Sequence, residues 1–153
     1  ILNIEFTANG NLLCGGTNRG WPVRGIKPFA LERLEWSGKI PFEIQRVTIE
    51  PDGFNITFTK PGEATTWKVS STYLIAGFTY PYHAGYGGPE IEQYQPGVTS
   101  VDVADDGMSA RIVVDKLKPG FVYELDLVKI RSRENEELLH RNAFYTVNEL
   151  PTR

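Results

Sequence analysis

The sequence has almost no cysteine, no long apolar run and no strong excess of charge of one sign. Cys14 is the single cysteine of 153 residues, so no disulfide forms within the chain. No apolar run approaches the ~20 residues that a bilayer-spanning helix needs. Sixteen Lys and Arg against nineteen Asp and Glu give a net charge of −3. Because nucleic-acid binding requires a basic surface, we expect no nucleic-acid partner. Because no long apolar run is present, we expect no membrane insertion.

Signatures of common catalytic and metal centres are also missing. There is no Gly-x-Ser-x-Gly nucleophile elbow, and the glycine-rich residues 15–20 lack the Lys-Ser/Thr of a phosphate-binding loop. His83 and His140 show neither an i, i+4 spacing nor a short ligand repeat, and no Cys-x-x-Cys-His haem motif occurs. We predict no metal, no cofactor and no catalytic residue in this chain, which is therefore not an enzyme by itself.

The sequence is instead rich in turn-forming residues and in alternating apolar patterns. Fifteen glycines and ten prolines divide it into short runs. Within these runs apolar residues recur at every second position, as in Phe54, Ile56 and Phe58. A period of two is typical of half-buried strands. No window has a helical period, and residues 133–139 are too few for more than a turn.

Turn motifs separate the strands that this pattern predicts. Asp52-Gly53 and Asp106-Gly107 are hairpin signals, and Pro119-Gly120 marks a further reversal. The strands are predicted over 44–50, 54–60, 66–70, 72–82, 98–104, 109–116 and 121–131, with an eighth over 142–148. Seven or eight short antiparallel strands in about a hundred residues predict an immunoglobulin-like antiparallel β-sandwich over residues 43–153.

Residues 1–42 predict a separate, small sheet. Asn9-Gly10 joins strands over 4–6 and 12–14, and a third strand is expected over 29–36. Three short strands cannot bury their own faces, so we expect this sheet to pack on the sandwich or on a partner. The fold class is thus all-β, with a blade-like N-terminal sheet. Because the chain starts in a strand-like run without Met, we expect a fragment of a longer protein.

Two stretches of the second segment resemble bacterial immunoglobulin-like domains of the SbsA/fibronectin-III-like type. Residues 56–61 are similar to their Ile-Thr-Phe-Ser-Lys-Pro opening, and residues 117–125 match Leu-x-Pro-Gly-x-x-Tyr-x-Leu. The loop that usually follows reads Asp-x-x-Gly-Asn-x-Leu, whereas residues 131–138 lack its Asp and Gly. The resemblance covers about 43–150 and implies a fold but almost nothing about activity.

The first segment resembles the last β-propeller blade of exported glucose/sorbosone dehydrogenase-like proteins. Residues 6–12, 15–21 and 31–38 carry the likeness, of the form Phe-x-x-x-Gly-x-Leu-x-x-Gly. It implies an upstream propeller domain of the same polypeptide as partner, and an extracytoplasmic location: periplasmic, cell-surface or secreted. The catalytic histidine and cofactor-binding residues of those dehydrogenases lie in other blades, so none is expected here.

The most unusual stretch of the sequence joins aromatic residues, a histidine and glycines over residues 78–90. Tyrosine and histidine combine a flat apolar face with a polar tip, which suits a sugar ring or a protein surface. Phe78, Tyr80 and Tyr82 alternate onto one face, so structural packing is an alternative to binding. The residues that we name for ligand binding are Tyr80, Tyr82, His83, Tyr86 and Glu90, together with Trp21 of the glycine-rich loop. For Trp21, a contact between the two segments is the other interpretation.

These observations favour a non-catalytic accessory or binding module of a larger exported bacterial protein. Such a module would brace a neighbouring propeller or present the loop near His83 to a glycan or protein ligand. One alternative is the C-terminal fragment of a quinone-dependent sugar dehydrogenase. A second alternative is a structural cell-surface spacer.

Overall fold

The computed structural model describes residues 3–17 and 27–152, which are almost entirely β. Their strands are β1 (Asn3–Phe6), β2 (Leu12–Thr17), β3 (Phe29–Leu34), β4 (Ile44–Glu50), β5 (Gly53–Phe58), β6 (Tyr73–Thr79), β7 (Ile91–Tyr94), β8 (Val98–Val103), β9 (Ser109–Val114), β10 (Phe121–Leu127) and β11 (Asn142–Val147). The helical elements of these residues are a single turn, α1 (Ala64–Trp67), and a 3₁₀ turn (Ser70–Thr72). The predicted all-β class is confirmed.

The chain divides into two compact units, Ile1–Ile40 and Pro41–Arg153. The described part of the first unit is an antiparallel sheet with the strand order β1-β2-β3. Gly10 has a φ of +82° and its N–H donates to the Thr7 carbonyl at 2.9 Å, which closes the hairpin that Asn9-Gly10 predicted. β3 ends at Leu34, two residues before the predicted end.

The second unit is a sandwich of two four-stranded antiparallel sheets. One sheet has the order β4-β5-β9-β8 and the other β11-β10-β6-β7. In immunoglobulin nomenclature these are ABED and CFG, with β7 added beside strand C. The predicted immunoglobulin-like sandwich is therefore confirmed.

Alternation along the strands places one large apolar core between the two sheets. On β5 and β10 every second side chain is buried, while the side chains between them are half-buried. The most buried of the large side chains are Trp67, Tyr123, Phe42, Phe54, Phe58, Ile56, Ile112, Leu125, Leu127 and Val147. Burial of such side chains is the main favourable term in folding, so this core defines the second unit.

The first and last strands of the sandwich run in the same direction. Just before β4 and β11 the Leu139 N–H donates to the Phe42 carbonyl at 3.0 Å, and His140 Nδ1 lies 2.6 Å from Glu43 Oε2. Near the other ends of these strands, the Phe54 ring lies 5.7 Å from that of Tyr145. The chain thus enters the sandwich at one pole and leaves it at the opposite pole.

The predicted strand over 66–70 is wrong, because this stretch forms α1 and the start of the 3₁₀ turn. The Glu63 carboxylate caps α1 by accepting from the N–H groups of Thr65 (3.1 Å) and Thr66 (2.9 Å). The Trp67 side chain is fully buried, and its Nε1–H donates to the Arg131 carbonyl at 2.9 Å. A local cap and one deeply buried side chain outweigh the β-favouring composition of the stretch.

Two strand ends and one additional strand also differ from the prediction. β6 ends at Thr79, three residues early, and β10 ends at Leu127 rather than at 131. Lys129 has a φ of +64°, which turns the chain out of the extended conformation after β10. β7 was not predicted, because its four residues are too few for a clear alternating pattern.

Candidate functional site

The predicted ligand-binding residues of the second unit lie in the loop between β6 and β7, here called the aromatic loop (residues 80–90). Tyr82 and Tyr86 are fully exposed to solvent. Tyr80 is half-exposed and packs edge-on against Phe78, with ring centroids 5.5 Å apart. The loop therefore presents aromatic surface on a connection that the two strands hold in place.

His83 is fixed by the glycines of the same loop. Its Nδ1 accepts from the Gly85 N–H at 3.0 Å, so a neutral ring carries its proton on Nε2. A Cβ at Gly88 would lie 3.2 Å from both the His83 and the Pro81 side chains. The glycines thus allow the backbone to fold closely around the imidazole ring.

Two of the predicted residues contact side chains outside the predicted set. The Glu90 carboxylate accepts from Gln93 Nε2 at 3.1 Å, and Tyr80 touches buried Phe78. No described hydrogen bond or ring contact joins Tyr82, His83 and Tyr86 to one another. The predicted alternation of Phe78, Tyr80 and Tyr82 onto one face is wrong, because β6 ends at Thr79. Trp21, the remaining predicted residue, lies outside the described residues.

The described residues contain no group of three His, Cys, Asp or Glu side chains placed to hold a metal ion. The two histidines belong to different environments, since His83 faces its own loop and His140 pairs with Glu43. Over the same residues, no helix combines the length and apolar composition needed to cross a bilayer.

A hydrogen-bonded tyrosine pair supports the strand that follows the aromatic loop. Tyr123 OH accepts from the Lys118 N–H at 2.6 Å and lies 2.6 Å from Tyr94 OH. This is the tyrosine corner of β-sandwiches, in which a tyrosine early in strand F bonds to backbone a few residues upstream. Lys118 Nζ lies 4.3 Å from the centre of the Tyr94 ring, within cation–π range.

Burial, together with the hydrogen bond to Tyr123, raises the pKa of Tyr94 well above its usual value, so its hydroxyl stays protonated. Tyr94 therefore acts as a structural brace, through its hydrogen bond to Tyr123. The Pro-Gly-x-x-Tyr motif signalled Tyr123 in the sequence, whereas no local pattern marked Tyr94 as its partner.

Comparisons with known proteins give a fold likeness alone. No protein-family model matches the chain, and no curated protein matches it. Solved structures of the S-layer protein SbsC do match. The crystal structure of its N-terminal part has a TM-score of 0.55 at 21% identity, covering 71% of this chain and 24% of that one. The crystal structure of rSbsC(31–844) has a TM-score of 0.54 at 19% identity, with coverages of 71% and 14%.

A third structure, of SbsC domains 1–6, gives a TM-score of 0.54 at 20% identity. This chain spans 14% to 24% of the length of these proteins. At such identity the likeness establishes a shared β-sandwich fold. It lends no support to the propeller and dehydrogenase resemblance, which stays a prediction. Cofactor-dependent sugar oxidation by any longer protein that contains this chain would be its test.

Proposed function

We propose that this chain is a non-catalytic structural module of a larger bacterial cell-surface protein, in which the sandwich acts as a spacer between neighbouring domains. The fold likeness to an S-layer protein supports the cell-surface setting. The proposal agrees with the spacer hypothesis of the sequence more closely than with the binding hypothesis.

The observation that carries this proposal is the polarity of the sandwich. Phe42 and Leu139 meet at the pole where the chain enters β4, and β11 ends at the other pole. A domain with this geometry adds its full length to a row of domains, whereas one with adjacent termini would form a side branch. At about 3.4 Å per residue, β4 or β11 alone spans about 20 Å.

The pairing of the terminal strands also suits a load-bearing role. β4 pairs with β5 from Ile44 to Glu50, and β11 pairs with β10 from Asn142 to Val147. A pull between the opposite poles acts along these strands, so it loads their hydrogen bonds together in shear. Several bonds must then break at once before either strand can leave its sheet.

Single-molecule pulling on tandem copies of the full chain tests the proposal. We expect one force peak per copy for the sandwich, with a length gain that matches the residues from β4 to β11. The control attaches one handle at exposed Lys116, through Lys116→Cys in a Cys14→Ser background, and the other at the C-terminus. This geometry pulls β11 from β10 one hydrogen bond at a time. Unfolding should then need several-fold less force, and equal forces in the two geometries would contradict the spacer role.

The exposed aromatic loop supports a second candidate function, a contact surface for glycan or protein. Tyr82 and Tyr86 expose their whole rings, and an exposed aromatic ring stacks well on the apolar face of a sugar. We expect a bound polysaccharide to change tyrosine fluorescence in the natural chain and not in Tyr82→Ala/Tyr86→Ala. Phe144→Ala removes an exposed ring outside the loop and serves as the matched control. No response across plant and algal polysaccharides would remove the glycan version.

A further inference from the structure

A groove opens along one edge of β6, on the side away from β10. Its volume is about 530 Å³, and residues 73–76 form one wall and residues 95–98 the other. Tyr73 and Ile75 line the groove although their side chains are buried in the core, while Leu74 and Ala76 point to the outer face. Inward-facing and outward-facing residues of β6 both line the groove. The groove therefore exposes the backbone edge of the strand and not only one of its faces.

The edge of β6 has no strand partner in this part of the described chain. β7 pairs with β6 only at Gly77 and Thr79. On the side of β10, the Val128 N–H donates to the Thr72 carbonyl, so the backbone groups of Thr72 face β10. Because backbone groups alternate in direction along a strand, those of Tyr73 and Ile75 face away from β10. The Tyr73 N–H bonds to Ser70, which leaves the Tyr73 carbonyl and both backbone groups of Ile75 facing the groove.

The groove is acidic on its outer side. Glu124 and Asp126 of β10 line it, and a second cavity of about 480 Å³ shares Glu124 and adds Glu90. Among the residues that the structure describes, no Lys or Arg lines either cavity. Glu124 accepts from the neutral Asn142 amide at 2.9 Å, and Asp126 lies 3.0 Å from Arg141 Nε. The face therefore carries more carboxylates than cations, and its charge complements a basic ligand.

We propose that this groove binds an extended segment of another polypeptide, which adds as a strand to the edge of β6. Backbone bonds to Ile75 would give affinity, as in other cases of β-strand addition. A residue opposite Ile75 would point inward, beside Pro96 and Val98, and should be apolar. Its neighbours would point outward, beside Glu124 and Asp126, and should be Lys or Arg. The expected ligand thus alternates apolar and basic residues.

A short synthetic peptide, acetyl-Lys-Val-Lys-Val-Lys-amide, is the test ligand. A saturating concentration of this peptide should slow hydrogen exchange of the Ile75 amide at least tenfold, as measured by NMR on the full chain. N-methylation of the two Val amides, which would face β6, should abolish this protection. N-methylation of the central Lys amide, which would face away, should leave it. Unchanged exchange at millimolar peptide, or equal binding of the two methylated peptides, would overturn the proposal.

Charge reversal gives an independent readout. Glu124→Lys should weaken peptide binding by about tenfold, whereas Glu134→Lys, an equal charge change on an exposed residue outside both cavities, should leave it unchanged. Equal weakening of peptide binding by both variants would show that only the overall charge attracts the peptide, and would refute binding in the groove. Protection of the Ile75 amide that rises with protein concentration, without peptide, would assign the edge to a second copy and also refute the proposal.

Discussion

The three-stranded sheet of the first unit and the sandwich of the second are built from similar alternating strands, yet their apolar side chains have different environments. In the sheet, Phe6 and Leu31 are 74% and 78% exposed. In the sandwich, Phe54 and Phe58 are 0% exposed. A strand pattern is therefore enough to form a sheet, but a core requires a second layer that covers the apolar face.

Truncation of one phenylalanine in each unit gives the largest expected contrast. Phe58→Ala should destabilise the sandwich by about 3–5 kcal/mol, because it leaves a cavity beside Phe42 and Trp67. Phe6→Ala should change stability by no more than about 0.5 kcal/mol, since its ring is exposed. Urea denaturation measures both values. Similar losses in the two variants would show that Phe6 is buried in solution.

A methyl group added to one glycine of each unit should again affect the stability of the two units differently. A Cβ at Gly62 would lie 1.8 Å from the Trp67 ring, so Gly62→Ala should cost about 1–3 kcal/mol through overpacking. At Gly16 of β2 the nearest atom would lie 3.8 Å away, an ordinary contact. Gly16→Ala should therefore be close to neutral in thermal unfolding. A neutral Gly62→Ala would mean that the Trp67 ring moves easily.

Removal of the corner hydroxyl should have a smaller effect. Tyr123→Phe leaves the Lys118 N–H without its acceptor, whereas the Tyr94 hydroxyl still donates to the Lys116 carbonyl at 2.9 Å. The loss should therefore cost about 1 kcal/mol. Tyr145→Phe removes a hydroxyl with no described hydrogen bond and should cost less. Both are measured by denaturant unfolding. Equal costs would argue against a stabilising tyrosine corner.

The smallest expected effect concerns the cap of α1 and depends on pH. Hydrogen bonds, first from the Thr65 side chain, lower the pKa of Glu63 below its usual 4.5. A lowered folded-state pKa means that the stabilisation is complete above the unfolded value and is lost as the pH falls through the folded value. Glu63→Gln should therefore have a lower melting temperature than the natural chain at pH 7. The difference in melting temperature should narrow toward pH 3.

Glu134→Gln removes an equal charge from an exposed position and serves as the control for this pH series. Its melting temperature should stay close to that of the natural chain at pH 7. A gap for Glu63→Gln that stays constant with pH would contradict the capping role.

The fold was largely predictable because its signals are local. Alternation and turn residues such as Asp52-Gly53 placed seven sandwich strands close to their observed positions. The stretch near Trp67 failed, since a buried indole that bonds to distant Arg131 leaves no local pattern. The groove beside Ile75 also escaped prediction, because it follows from where β7 stops pairing and not from any motif. The exposure of Tyr82 and Tyr86 agrees with a surface loop, while their ligand stays a prediction.

The depth at which Trp67 sits provides the molecule with its own spectroscopic reporter. Its indole is shielded from solvent, whereas Trp36 of the first unit is 72% exposed. A protein carrying Trp21→Phe and Trp36→Phe would emit from one shielded indole, whose red shift follows the opening of the sandwich alone. Comparison of that shift with the loss of far-ultraviolet circular dichroism, to which the strands of both units contribute, would then tell whether the units melt together or in sequence.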